Sequence, residues 1–179
     1  MEEGEIKEIV NQAEVSLILD TYNDIFSSFD PRPYNERSLS EDLLSEAKRA
    51  VRDKGEGIEL RFIIPKAQRS IAHETLIKQR LKDHFRKHHY MVQRELTAYK
   101  KQAVTLIAVG TIIGFIAVWL SITNIYEILK HAVEIILSPA SWFTIWTGFE
   151  HLTFPPKKET QEEQFYRKMI DAHISFTGY

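Results

Sequence analysis

The sequence predicts an α+β protein: a small cytoplasmic sheet of about three strands with helices, joined to an α-helical transmembrane hairpin. Three observations predict it. Ala103–Thr123 holds 21 residues without a charge. Three short runs rich in β-branched and aromatic residues lie outside that stretch. The charge is segregated along the chain, so the formal −2 of the whole is a cancellation of unlike parts.

The runs Glu14–Asp20 (EVSLILD) and Ile58–Pro65 (IELRFIIP) read as strands bounded by turn formers. Between them, Ser38 and Glu41 have the S-x-x-E spacing of a capping box. Leu39, Leu43, Leu44, Ala47 and Val51 then recur on one helical face until Lys54-Gly55. A strand, helix and strand of this length fit a parallel pair joined by a right-handed crossover. Residues 1–65 form this part.

Residues 1–65 carry 8 basic and 15 acidic side chains, whereas residues 66–102 carry 10 and 3. The adjoining blocks of −7 and +7 make a contact between them an expectation. Residues 66–102 read as a basic juxtamembrane helix that runs on into the apolar stretch. At about 1.5 Å per residue, some 20 apolar residues cross the hydrocarbon core, so 103–125 is expected to be a first transmembrane helix. It lies mid-chain, out of range of signal-peptide processing. Arg94, Lys100 and Lys101 stand before it and only Lys130 soon after it, which by the positive-inside rule puts the N-terminal part in the cytoplasm.

Residues 126–154 leave two readings open. In one they are a second span, kinked at Pro139, with Glu134 near its outer end or facing the first helix. In the other, Asn124–Leu137 is an interfacial helix and Ser138-Pro139 starts a new, shorter one. Pro155, Pro156, Lys157 and Lys158 look like a cytoplasmic exit. Residues 155–179 then supply a helix over Glu159–Met169 and a strand over Ala172–Tyr179. A strand joining the first two needs both chain ends on one side, hence a multi-pass protein of the cell membrane with N- and C-termini cytoplasmic.

Composition excludes several chemistries. With no cysteine there is no disulfide framework, thiolate zinc site or thiol nucleophile. No phosphate-binding glycine loop or nucleophile elbow is present. No catalytic, cofactor-binding or metal residue is assigned, no cofactor is expected, and the chain is read as non-enzymatic. His84 and His88 have i, i+4 spacing, with His89 beside them. The neighbouring cations oppose a metal, so they read as part of a solvated helix.

The candidate recognition loop is Asp30, Arg32, Tyr34 and Arg37, where two prolines stiffen the backbone and two guanidiniums are available for a carboxylate or phosphate. The competing structural reading has Phe26, Phe29 and Tyr34 plugging the sheet while Asp30 pairs with an arginine. Gly110 and Gly114 form a GxxxG step, which packs either the two spans of one chain or a homodimer. Glu134 is a candidate intramembrane polar residue; it opens the alternative of an oligomeric channel or permeability effector. A membrane-bound enzyme of unknown substrate is the remaining alternative. Expected partners are the lipid bilayer, anionic headgroups near the basic stem, an unknown protein and a second copy of the chain, with no nucleic acid.

Phe29–Leu44 (FDPRPY-x-x-R-x-L-S-x-D-L-L), Glu59–Lys66 (ELRFIIPK) and Trp142–Trp146 (W-F-x-x-W) together resemble a family of uncharacterised prokaryotic small membrane proteins. The resemblance implies the layout of a cytoplasmic domain with two apolar segments, and no activity.

Overall fold

The computed structural model describes residues 15–52, 54–55, 57–123 and 127–179. Residues 1–14, which open the acidic block and the first expected strand, lie outside them, as does Asn124. The described elements are strand β1 (Val15–Ile18), helix α1 (Glu41–Val51), strand β2 (Glu59–Ile64), helix α2 (Ile71–Ile122), helix α3 (Glu127–Thr153), helix α4 (Lys157–Asp171) and strand β3 (His173–Gly178). They divide into two compact units: residues 1–90 with 162–179, and residues 91–161.

The first unit is built on a three-stranded, all-parallel sheet in the order β1-β2-β3. Central β2 aligns Leu60 and Phe62 with Val15 and Leu17 on one side and with Ile174 and Phe176 on the other. Side chains alternate between faces. Leu60, Phe62, Ile64, Ile174 and Phe176 are therefore buried together on one face, where Phe62 stacks on Phe176 at 5.2 Å. Ile77, Leu81 and Phe85 of α2, Phe165 and Met169 of α4, and Ala47 and Val51 of α1 complete this core. On the opposite face Glu59 accepts hydrogen bonds from Arg61 Nη2 (3.0 Å) and Ser175 Oγ (2.9 Å), while Ile63 of the same face is fully buried, so that face is polar at one end and apolar at the other.

Two boundaries differ from the sequence reading, each for a local reason. β1 stops before Asp20 because the Asp24 carboxylate takes the N–H groups of Asp20 and Thr21, both at 2.8 Å, and starts a 3-10 turn over Tyr22–Ile25. The cap of α1 is Ser40, not Ser38, and the expected capping box does not form. Ser38 is spent elsewhere: its N–H donates to Asp30 (2.7 Å) and its Oγ accepts from Arg32 (3.3 Å).

The second unit is an antiparallel helix pair. Small residues let α2 and α3 approach closely, since a Cβ on Gly110 would meet Ile145 Cγ1 at 2.7 Å, and one on Gly114 would meet Ser141 Oγ at 2.7 Å. The third contributor is Gly148 of α3, where a Cβ would lie 2.8 Å from the Ala103 carbonyl oxygen and 3.0 Å from Ile107 N. Buried Ser141 donates to the Gly110 carbonyl at 2.8 Å, and Tyr99 stacks on His151 at 4.8 Å. α3 runs unbroken through Pro139, which corrects the reading in which a new helix begins at Ser138-Pro139. Proline is tolerated inside a helix where neighbouring groups accommodate the lost hydrogen bond.

Of the described helices, α2 alone is long and apolar enough to cross a membrane by length and composition. Only 17% of its most apolar window is buried, the reverse of a helix enclosed in a soluble core. Val109, Ile112, Phe115, Val118 and Trp119 face outward instead.

Backbone contacts leave Gly148 no room to relax, so Gly148→Ala should destabilise the pair by about 1–3 kcal/mol, the usual range for overpacking. The thermal midpoint in detergent measures it. Gly55→Ala, with nothing within 4 Å of the added carbon, should leave that midpoint unchanged or slightly higher.

Candidate functional site

The recognition loop grows out of the 3-10 turn and returns to α1 through a closed neck. Phe26 bridges Leu39 in antiparallel fashion, Ser27 N–H donates to the Ser38 carbonyl (2.9 Å), and Ser40 N–H donates to the Ile25 carbonyl (3.0 Å). Within this neck Asp30 is the hub. Its carboxylate accepts from Arg32 Nε (2.9 Å), Arg32 Nη2 (2.8 Å), Arg32 N (3.2 Å) and Ser38 N (2.7 Å). The Arg32 guanidinium, followed by the Ser38 amide, holds the Asp30 carboxyl well below the usual carboxylate range.

Arg37 faces inward. Nε and Nη2 donate to the Ser27 carbonyl at 3.2 and 3.0 Å, Nη1 donates to Asn23 Oδ1 at 2.8 Å, and the guanidinium lies 5.8 Å from the Phe26 ring centre. Arg80 of α2 donates through Nε to the Arg37 carbonyl at 2.9 Å. Tyr34 stacks on Phe26 at 5.3 Å and meets the edges of Tyr22 and His73. The structure therefore brings Asp30, Arg32, Tyr34 and Arg37 into one framework. Arg32 retains a 53% exposed side chain, whereas Arg37 is committed to the loop itself.

The structural reading of the loop holds in the Asp30–Arg32 pair and fails at Phe29. Phe26 is buried, but Phe29 is 95% exposed at the tip. Its ring stands in water on a loop whose backbone the Asp30 hydrogen bonds hold. Sequence spacing gave no sign of which phenylalanine would point out.

Beneath the loop lies a network that sequence reasoning missed. Glu74, 6% exposed, accepts from Arg69 Nε (2.8 Å) and Nη2 (3.0 Å) and from the Tyr22 hydroxyl (3.1 Å). That hydroxyl in turn accepts from Ser70 N–H at 2.9 Å. Arg69 lowers the Glu74 carboxyl below its ordinary value against the opposing effect of burial. The network ties the start of α2 to the 3-10 turn after β1. Its partners lie about 50 residues apart in sequence, too far for any local pattern to signal.

The other candidates fall elsewhere. Gly110 and Gly114 face α3 of the same chain, the first of the two packings open to a GxxxG step. Glu134 is half exposed, with Ser121 Oγ at 3.5 Å and His131 Nδ1 at 3.9 Å. His84, His88 and His89 are not a solvated run: α4 covers them, with His88 stacked on Tyr166 at 5.4 Å and His89 Nε2 3.3 Å from Glu163. The described ion pairs of the stem run to Glu74 on the stem and Glu163 on α4, not to the acidic block 1–65. No group of side chains suited to holding a metal occurs among the described residues.

No protein-family model, curated protein or solved structure matches the chain.

Asp30→Ala should free the loop without unfolding the sheet. Trypsin should then cut after Arg37 several-fold faster than in the parent, while β2 keeps its amide protection. Because the Asp30 carboxyl is held low, the parent loop should resist cleavage equally well at neutral pH and at about pH 5, using an acid-active protease for the second reading.

Proposed function

We propose that the chain is a multi-pass integral membrane protein whose cytoplasmic α+β module acts, without catalysis, as an interaction platform. The observation that carries the layout is the pairing of β3 with β2 across the apolar helices. If α2 crosses the bilayer, a strand from the far side of α3 reaches β2 only when α3 crosses back. At 27 residues, α3 is about 40 Å long and spans with tilt. Its outward side chains Ile135, Ile136, Trp142, Phe143, Trp146 and Phe149 are exposed and suit lipid. Lys100, Lys101, Lys157 and Lys158 then flank the two inner ends, as the positive-inside rule requires.

The platform is the loop of residues 26–38, which presents Phe29 and the free side of Arg32 on a framework already ordered by Asp30. Preorganisation removes much of the entropy that a flexible loop would lose on binding. The occupant is a protein surface with an apolar pocket beside an acceptor for Arg32.

Reporters fused after residues 130 and 179 test the layout: the first should be extracytoplasmic and the second cytoplasmic. An extracytoplasmic residue 179 would overturn it. In the same membranes, Phe29→Ala should remove proteins that crosslink to the parent while leaving the thermal midpoint unchanged; an unchanged crosslinking pattern would sink the platform.

A further inference from the structure

Three helices of the first unit meet around two imidazoles. The rings of His84 and His88 stack at a centroid separation of 4.1 Å, and His88 stacks in turn on Tyr166 of α4 at 5.4 Å. His84 Nε2 is buried and has no hydrogen-bond partner. Phe85 and Phe165 pack edge to face beside the stack. From α1, Lys48 Nζ lies 5.6 Å from the Tyr166 ring centre and 3.1 Å from Glu162 Oε1. Lys168 of α4 completes the junction by donating to the Val51 and Lys54 carbonyls at the end of α1.

The charges around the stack are lopsided. Arg80 and Lys87 come from α2 itself and Lys48 from α1, and all three oppose a proton on His84. From α4, Glu162 favours a proton on His88, but it is shared with Lys48. Glu163, the other carboxylate on that side, is engaged by His89. A buried nitrogen without an acceptor has nothing to receive an added N–H, and a charge there remains uncompensated.

We propose that the junction of α1, α2 and α4 is an acid-labile latch, in which protonating the stacked His84–His88 pair releases α4 from the other two helices. The release is local, because β3 is held separately by its six-residue ladder to β2. It exposes the Tyr166 and Phe165 faces, and it operates whether or not the chain spans a membrane.

The direction in pH follows from proton counting. Burial first, then His88, Arg80, Lys87 and Lys48, push the His84 imidazole down to about 4 from an ordinary 6.5, and burial also lowers His88. The closed junction therefore binds fewer protons than the open one. Closure is favoured above pH 6.5 and weakens as the pH falls from there toward 4. At about pH 5 the open population should have risen on the order of tenfold.

Hydrogen exchange on the full chain in detergent, from about pH 7.5 to about pH 5 and corrected for intrinsic rates, reads the latch directly. Amides of residues 162–171 should exchange on the order of tenfold faster at the acid end while those of β2 stay protected. The rise should disappear in the His84→Phe, His88→Phe double variant, which keeps the aromatic stack, and persist in His89→Gln. Should the double variant be unfolded at neutral pH, each single variant must show a shallower rise than the parent. The proposal is overturned by an equal rise in the phenylalanine variants, by no rise in the parent, or by β2 and α4 losing protection together.

Discussion

Everything else in the structure depends on the parallel pairing of β3 with β2. It brings together segments separated by about a hundred residues, and closing so long a loop carries an entropic cost that grows only slowly with length. The pairing offsets that cost with a six-residue ladder and with the burial of Ile174 and Phe176 beside Leu60 and Phe62. Buried aromatic and aliphatic side chains each contribute about 1.5–3 kcal/mol. Parallel strands require a crossover, and between β2 and β3 that crossover is the whole run of α2, α3 and α4.

A crossover of this kind has to turn round, and the antiparallel contact of α2 and α3 is how it does so. Close packing and an interhelical hydrogen bond hold the two helices together, the kind of contact that would also serve in lipid, where helices gain little from apolar surface alone. Gly110, Gly114 and Gly148 allow the approach, and the Ser141 hydroxyl on the Gly110 carbonyl adds a polar tie within it. The small-residue face is thereby occupied inside one chain.

Much of this architecture was legible in the sequence because it rests on short-range patterns. Strand runs, the apolar stretch and the helical face of Leu44, Ala47 and Val51 are each readable within a few turns of chain. The misreadings share one cause, a partner supplied from far away or competing locally. Ser38 has the right spacing for a cap, but the loop carboxylate of Asp30 takes its amide. His84 and His88 sit among cations and look solvated, yet α4 returns from some eighty residues downstream to cover them. Phe29 resembles Phe26 in sequence; only the closed neck of the loop decides which ring is buried. By length and composition α2 alone of the described helices is a candidate span, while in α3 Glu134, Ser138, Pro139, Ser141, Thr144 and Thr147 interrupt the apolar residues.

β2 and β3 are paired, and the central claim of the proposed layout is that this pair lies on one side of the bilayer. Arg61 and Ser175 are opposed in register, so a chain carrying Arg61→Cys and Ser175→Cys tests it in sealed membrane vesicles of known orientation. Mild oxidation should form an intramolecular disulfide, and an impermeant thiol reagent should reach both cysteines in inverted vesicles and neither in right-side-out ones. Labelling of position 61 from one side and position 175 from the other, with no crosslink, would contradict the account.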